Sequence, residues 1–394
     1  MSVGKHKLKD RDCFICGSKK YKELVEVPYM YPFYSKTDSY KHKLVKCEEC
    51  SNYFISPTIS DAILDEYYKT QTSYELHDSE LDILNSYELK ALQQQTFISE
   101  NISVENMTIL DFGCATAYTL NKFKKGGNKL IGFDTSKECS VVAKNKYDID
   151  VYTNFSDITK HRYDLVMLSH VLEHLIDPAD VISALCEFMN IGSYIYIEIP
   201  YIESFNEFNN EELFGHISFE HLNYFNKTNL TNLMRSIGFK KIELSIKKND
   251  NGIIPNNPVI LSLWQLTNEK SNNFDDSKSK LFELYIENEE QKMDAFKERL
   301  LKKVYEKKII IYGTGAHTYR LLALYPELHN NIVGFSDSNS KKFDDDFFFN
   351  LACNSIDKFD DKFDAILISS KASENEIYNS LILKTNKEVI RIYE

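Results

Sequence analysis

Between Met107 and about Trp264, short apolar runs alternate with segments whose apolar residues return every three or four positions. That alternation predicts a parallel α/β sheet: continuous apolar runs suit buried strands, and the longer period suits helices that cover them. The clearest strand runs are Thr108–Phe112, Lys129–Asp134, Asp164–Ser169 and Tyr194–Ile199. Upstream, helical spacing from Asp78 through Ile98 crosses a polar, Tyr-rich stretch. Downstream, Thr267–Lys280 is polar enough to read as a linker. Phe282, Tyr285, Glu289, Met293, Phe296, Leu300 and Val304 then step along one helix face, with Glu289 the one polar member of the stripe. A second α/β pattern follows, with strands at Lys308–Tyr312, Asn331–Phe335 and Ala365–Ser369.

At 394 residues the chain exceeds one compact core. The expected fold class is α/β, with a four-cysteine module over 1–57, a Tyr-rich helical bridge over 58–106 and a Rossmann-like domain over 107–266. A linker and helix over 267–306 then lead to a C-terminal Rossmann-like domain over 307–394. A formal net charge of −12 argues against charge-driven binding to nucleic acid. No apolar stretch approaches the roughly 20 residues that span a bilayer. Met1–Asp12 is polar and basic, without the apolar stretch of a secretory leader. A cytoplasmic location with no membrane partner is the expectation.

The cysteines are unevenly placed. Cys13-Phe-Ile-Cys16 and Cys47-Glu-Glu-Cys50 form two CxxC pairs, and Gly17 after the first suits the tight turn of a metal knuckle. Two such pairs complete a tetrahedral four-thiolate Zn2+ site with no open position, so the expected metal is structural. Cys114, Cys139, Cys186 and Cys353 stand singly and read as small buried hydrophobes.

The run Thr108-Ile-Leu-Asp111-Phe-Gly113-Cys-Ala115-Thr-Ala117 reads as strand, small-residue turn and helix. In doubly wound sheets, ligands sit at the carboxyl ends of strands, over such turns. A dinucleotide would call for G-x-G-x-x-G beneath its pyrophosphate. S-adenosylmethionine (SAM) has no phosphate, and its ammonium and ribose need acceptors; Asp111 at one strand end and Asp134 at the next supply them. Here the chain resembles class I SAM-dependent methyltransferases, with Ala115 and Ala117 standing where glycine is usual. The resemblance places Asp111, Gly113, Ala115, Asp134, Ser169 and His170 around the cofactor.

His170-Val-Leu-Glu173-His174 matches H-x-x-E-H, a zinc-peptidase pattern whose two histidines must share one helical turn. Its position directly after a strand fits better a loop beside the cofactor. Gly215-His216-Ile-Ser-Phe-Glu220-His221-Leu-Asn-Tyr224 forms a second polar cluster, before a helix that ends near Gly238. Histidine is suited to take a proton near neutral pH, and Glu220 or a neighbouring acid would orient it.

In order, the zinc module, Tyr-rich bridge, SAM domain with a Glu-His pair and C-terminal Rossmann-like domain resemble the zinc-binding sugar-nucleotide C-methyltransferases of deoxysugar biosynthesis. The resemblance implies His221 as the base beside a keto group, with Glu220 as its companion. It implies a nucleotide-sugar substrate lined by Tyr68, Tyr74, His174, His216, Tyr224 and His317. O- or N-methylation of a related glycan precursor stays open. A zinc-ribbon interaction protein with a vestigial SAM fold is the rival of another class. In the C-terminal pattern, Gly313, Gly315 and Asp337 form either a platform for the substrate's nucleotide or the remnant of one in a packing domain.

Overall fold

The computed structural model describes residues 8–30, 39–60, 62, 64, 81–207, 214–247, 258–359, 362–371 and 373–393. Three sheets organise them. The central sheet holds β4 (Thr108–Phe112), β5 (Lys129–Phe133), β6 (Asp150–Tyr152), β7 (Tyr163–Ser169), β8 (Met189–Pro200), β10 (Phe239–Lys247) and β11 (Val259–Leu266). Their spatial order is β10-β11-β8-β7-β4-β5-β6. β4 through β8 pair in parallel, and β11 and β10 close one edge antiparallel. The strand order reverses beside β4, which opens a crevice at the carboxyl ends of β4 and β7.

The helices follow local rules. α1 (Leu81–Asn101), α2 (Tyr118–Lys122), α3 (Lys137–Tyr147), α4 (Pro178–Cys186) and α5 (Lys227–Ile237) belong to the central unit. Asp177 caps α4, accepting from Asp180 N–H at 3.0 Å, and Pro178 opens it where no backbone donor is required. Asn226 and Asn229 form a reciprocal capping box on α5 at 2.9 and 2.8 Å, and Gly238 ends it with φ +116°.

The N-terminal sheet is not self-contained. β1 (Tyr21–Met30), β2 (Ser39–Cys47) and β3 (Tyr53–Ile55) run antiparallel, and β9 (Asn223–Tyr224), from just beyond His221, pairs with β3. Cys13, Ile15 and Phe54 share one apolar core with Phe225, Leu230 and Leu233. Arg11 fastens the joint: its guanidinium donates to Asn223 Oδ1 at 2.8 Å, to Leu222 O at 3.2 Å and to Ile176 O.

The polar stretch 267–280 is irregular in backbone but strapped down. Asp275 exchanges hydrogen bonds with Asn232 at 2.8 and 3.0 Å, and Ser51 donates to Asp276. It leads to α6 (Leu281–Lys303), on which Glu289 is 1% exposed and accepts from Phe214 N–H at 2.7 Å. The polar break in the apolar stripe is thus an anchor for the loop that carries the second histidine cluster.

The third sheet, order β14-β15-β13-β12-β16-β17, uses β12 (Ile309–Tyr312), β13 (Ile332–Ser336), β14 (Asp344–Phe348), β15 (Leu351–Cys353), β16 (Ala365–Ile368) and β17 (Glu388–Arg391), with α7 (Ala316–Leu324) following β12. Among the described residues, no helix is long and apolar enough to cross a membrane.

Gly132, in the middle of β5, tests the packing beneath the crevice. A Cβ there would lie 2.6 Å from Cys114 Sγ and 2.7 Å from Val151 Cγ2. Gly132→Ala is expected to lower stability by about 1–3 kcal/mol, the usual range for overpacking, read as a fall in urea midpoint at unchanged slope.

Candidate active site

The crevice begins with the turn after β4. Gly113 has φ +82°, and a Cβ on it would meet Val171 Cγ2 at 2.6 Å. Its N–H and that of Cys114 donate to Phe133 O at 2.8 and 3.1 Å. Ala115 and Ala117 also adopt left-handed backbone, φ +45° and +62°. Each costs about 1–2 kcal/mol relative to glycine. At Ala115 the turn is held by Asp134, which accepts from Ala115 N–H at 2.8 Å and from Ser136 N–H at 2.9 Å. Each Asp134 oxygen keeps a further lone-pair direction. Asp111 is 4% exposed, and burial, then the charge of Asp134, pushes its carboxyl up to about 7. Two carboxylates at adjacent strand ends make a place for a cation.

Beside them stands a buried polar ladder. Glu198 on β8 is 1% exposed and accepts from Gln94 Nε2 at 2.6 Å and Tyr196 OH at 2.9 Å, with Lys90 Nζ at 3.5 Å. Gln94 also donates to Ser169 Oγ at 2.8 Å and accepts from Thr119 Oγ1 at 2.6 Å. His170, φ +53°, lies between two acids: Nδ1 is 3.0 Å from Glu173 Oε1 and Nε2 is 3.1 Å from Glu198 Oε1. Burial opposes charge on all three groups. For Glu173, His170 and then His174 and His221 outweigh it; for Glu198, Lys90, His170 and Gln94 do; both carboxyls are held down at about 2. His170 is raised, because its two carboxylate partners outweigh burial and Lys90. Ser169 ends β7 and His170 follows it. Lys90 and Gln94 carry no signal of this role in the sequence; for Glu198 the signal is an acid inside the apolar run Tyr194–Ile199.

The ladder carries a pH dependence. Depressed carboxyls contribute stability above their unfolded value of about 4.5, and lose it as pH falls towards 2. His170, being raised, contributes fully below 6.5 and loses that share as pH rises through its folded value. The stabilisation is therefore complete between about pH 4.5 and 6.5. Glu198→Gln is expected to flatten the fall of the urea midpoint on the acid side; an acid limb as steep as the wild type's would contradict it.

H-x-x-E-H does not build a two-histidine face. His170 follows the end of β7, while Leu172–His174 is a separate short 3-10 turn. Both His170 nitrogens are engaged by carboxylates. The motif thus lies on the loop expected after the strand, and it does not fit the zinc-peptidase alternative, which needs both histidines as ligands on one turn.

Instead, His174 joins the second cluster. Its Nδ1 lies 3.1 Å from Glu220 O, and its ring meets His221 edge-on at 4.9 Å. A Glu173 carboxylate oxygen and one ring nitrogen each of His174 and His221 fall within 4.8 Å of one another. Leu222 N–H donates to Glu173 O at 2.7 Å, which stitches the loop onto this turn. Burial pushes His221 down to about 3, against the pull of Glu173. From the other side, Arg320 on α7 donates to Phe214 O and Ile217 O, both at 3.2 Å. Arg320→Ala should loosen the 214–221 loop, and hydrogen exchange there should speed up about tenfold for every 1.4 kcal/mol of hold lost.

Other expected substrate contacts lie elsewhere. His216 is 7% exposed and stacks on Phe205 at 4.3 Å, so it is core material. Tyr224 is 2% exposed and stacks on Phe282 at 5.5 Å. His317 lies in the third-sheet unit, 2.9 Å from Ser369 Oγ and 2.5 Å from Tyr393 OH. Aromatic packing engages His216 and Tyr224, and neighbours within the third-sheet unit engage His317. Tyr68 and Tyr74 fall outside the described residues. Asp337 repeats the Asp134 device, accepting Thr314 N–H at 2.9 Å, but also takes Thr314 Oγ1 at 2.6 Å and Lys342 at 3.0 Å, so its acceptor capacity is largely used internally.

The four N-terminal thiols converge. Cys13 and Cys50 sulfurs are 3.4 Å apart, Cys16 and Cys47 3.5 Å, and all four lie within 4.8 Å of one another. Each pair sits on a tight turn with left-handed backbone, Gly17 at φ +72° and Ser51 at φ +56°.

A family profile described as a methyltransferase domain matches residues 86–244. The chain therefore carries a methyltransferase domain, which spans α1 to β10. The ubiquinone biosynthesis O-methyltransferase of Hydrogenovibrio crunogenus is 28% identical over 109 residues, 25% of this chain and 45% of that protein. The chain thus spans a little under half the length of the curated relative that it matches. Among solved structures, the magnesium protoporphyrin IX methyltransferase of Synechocystis with bound S-adenosylhomocysteine is 12% identical and aligns over 53% of this chain and all of its own, TM-score 0.42. A SAM-dependent methyltransferase of Archaeoglobus fulgidus is 20% identical, over 52% of this chain and 100% of its own, TM-score 0.35.

Proposed function

We propose that the chain is a SAM-dependent methyltransferase acting on a small, nucleotide-linked sugar, with a structural zinc in its N-terminal module. The observation that carries the cofactor reading is the pair Asp111 and Asp134 at adjacent strand ends, over a turn that lacks a phosphate cradle. The residues present fit SAM. Asp134 retains acceptor directions for a ribose diol, and the buried Asp111 carboxyl gains from a nearby ammonium. SAM supplies an electrophilic methyl group on its sulfonium. Everything else asked of the protein is positioning and proton transfer.

His221 is the residue to which this reading assigns that proton. Burial keeps its imidazole neutral at pH 7, so it accepts the proton from a carbon next to a carbonyl or from a hydroxyl. With SAM bound, the methyl would pass to the acceptor carbon or oxygen, and His221 would hold the proton that the acceptor gives up. Glu220 flanks it, its carbonyl accepting from His174. The partial similarity to an O-methyltransferase supports keeping hydroxyl acceptors within the proposal.

Incubation of the full chain with SAM and a panel of nucleotide sugars, 4-keto forms included, tests the reading by mass spectrometry. The expected product carries one added methyl with stoichiometric S-adenosylhomocysteine; no product from any member would refute the substrate class. His221→Ala is expected to cut turnover by at least about a hundredfold with unchanged S-adenosylhomocysteine affinity.

A further inference from the structure

A buried acid stands beside His221 that no step above uses. Glu173 is 1% exposed, and its Oε1 is bonded to His170 Nδ1 at 3.0 Å. Its Oε2 is buried with no hydrogen-bond partner among the described residues. An unpaired buried carboxylate oxygen is costly to maintain. One oxygen of this carboxylate forms a cluster with one ring nitrogen each of His174 and His221, all within 4.8 Å of one another. By contrast, it is the backbone carbonyl of Glu220 that meets His174.

We propose that Glu173 is the positioning carboxylate of His221: it steadies the imidazolium formed when His221 takes the acceptor's proton. The inference rests on the reading of His221 as base. A histidine buried among other histidines is a weak proton acceptor. The groups acting on His221 are His174, His170 and His216, all of which oppose its protonation, and Glu173, which favours it. His170 keeps Glu173 ionised and fixed, and is itself held from behind by Glu198. The H-x-x-E-H acid thereby acquires a role that requires no metal ligation. On proton transfer the acceptor's C–H bond breaks, its electron pair stays on the acceptor, and the proton forms the new N–H bond on His221 beside Glu173.

Deuterium wash-in to dTDP-4-keto-6-deoxyglucose in D2O, with S-adenosylhomocysteine bound and no methyl donor present, isolates this step. The wild type is expected to exchange the hydrogen next to the keto group. Glu173→Gln keeps an acceptor for His170 but removes the charge; it should slow exchange at least about tenfold at unchanged half-saturation for the sugar and unchanged S-adenosylhomocysteine affinity. Glu173→Asp, which restores the charge, should recover part of the rate. Equal exchange in wild type and Glu173→Gln, or a loss confined to half-saturation, would overturn the role of Glu173 while leaving His221 as base. Exchange that survives in His221→Ala would overturn the base reading and this inference with it. Exchange in the wild type that requires added Mn2+ would make Glu173 and His221 metal ligands and overturn it too.

Discussion

Cys47→Ser is expected to abolish metal binding and to melt the N-terminal sheet together with the loop that carries His221. Four sulfurs already drawn within 4.8 Å would otherwise repel as thiolates or crowd as thiols. A tetrahedral zinc, as proposed, would convert them into a folding contact, with apparent binding free energies of about 10–16 kcal/mol in small zinc modules. The consequence here reaches beyond the module. Cys47 ends β2, β2 pairs with β3, and β3 pairs with Asn223–Tyr224 of β9. Loss of the metal should therefore loosen 220–226 as well as 13–50. We expect about one zinc per chain in the wild type, none in Cys47→Ser, and a melting temperature lower by more than about 5 °C, on a scale of 2–4 °C per kcal/mol. A metal-free wild-type protein with an undisturbed melting curve would refute the zinc proposal.

Asp134→Ala should weaken S-adenosylhomocysteine binding by at least about a hundredfold, because charge-assisted hydrogen bonds to two ribose hydroxyls are worth about 1.5–3 kcal/mol each. The same change leaves the Ala115 and Ser136 N–H groups without their acceptor. Asp134→Asn separates the two effects, since its amide oxygen still accepts one of those bonds. Titration calorimetry should place Asn between wild type and Ala. Unchanged affinity in the Ala variant would remove Asp134 from the cofactor site.

Much of the scaffold was legible because it rests on local rules. Apolar runs marked β4, β5, β7 and β8 within a few residues of their observed ends, although β8 begins at Met189, well before the apolar part of its run at Tyr194. The long helix matched its stripe, observed as Leu281–Lys303. The N-terminal strands are not legible from local pattern, because the residues that complete their sheet lie some 170 positions further on, at Asn223–Tyr224. Glu289 and Glu198 looked alike in sequence, as acids in apolar runs. One proved a loop anchor and the other the hub of the polar ladder.

By itself, then, the sequence determined what short-range chemistry can specify: the strand periodicity, the CxxC pairs, the small-residue turn after Asp111, and the helix that ends near Gly238. Tertiary structure alone decided which histidines share a site. His170, His174, His216 and His221 are similar in sequence terms, yet their surroundings divide them. His170 is clamped between two carboxylates, His216 is stacked in the core on Phe205, and His174 and His221 cluster with the Glu173 carboxylate. Burial and charge act through space over a few ångströms, and residues 173 and 221 become neighbours only once β9 joins β3 and the loop is stitched to the turn at Glu173.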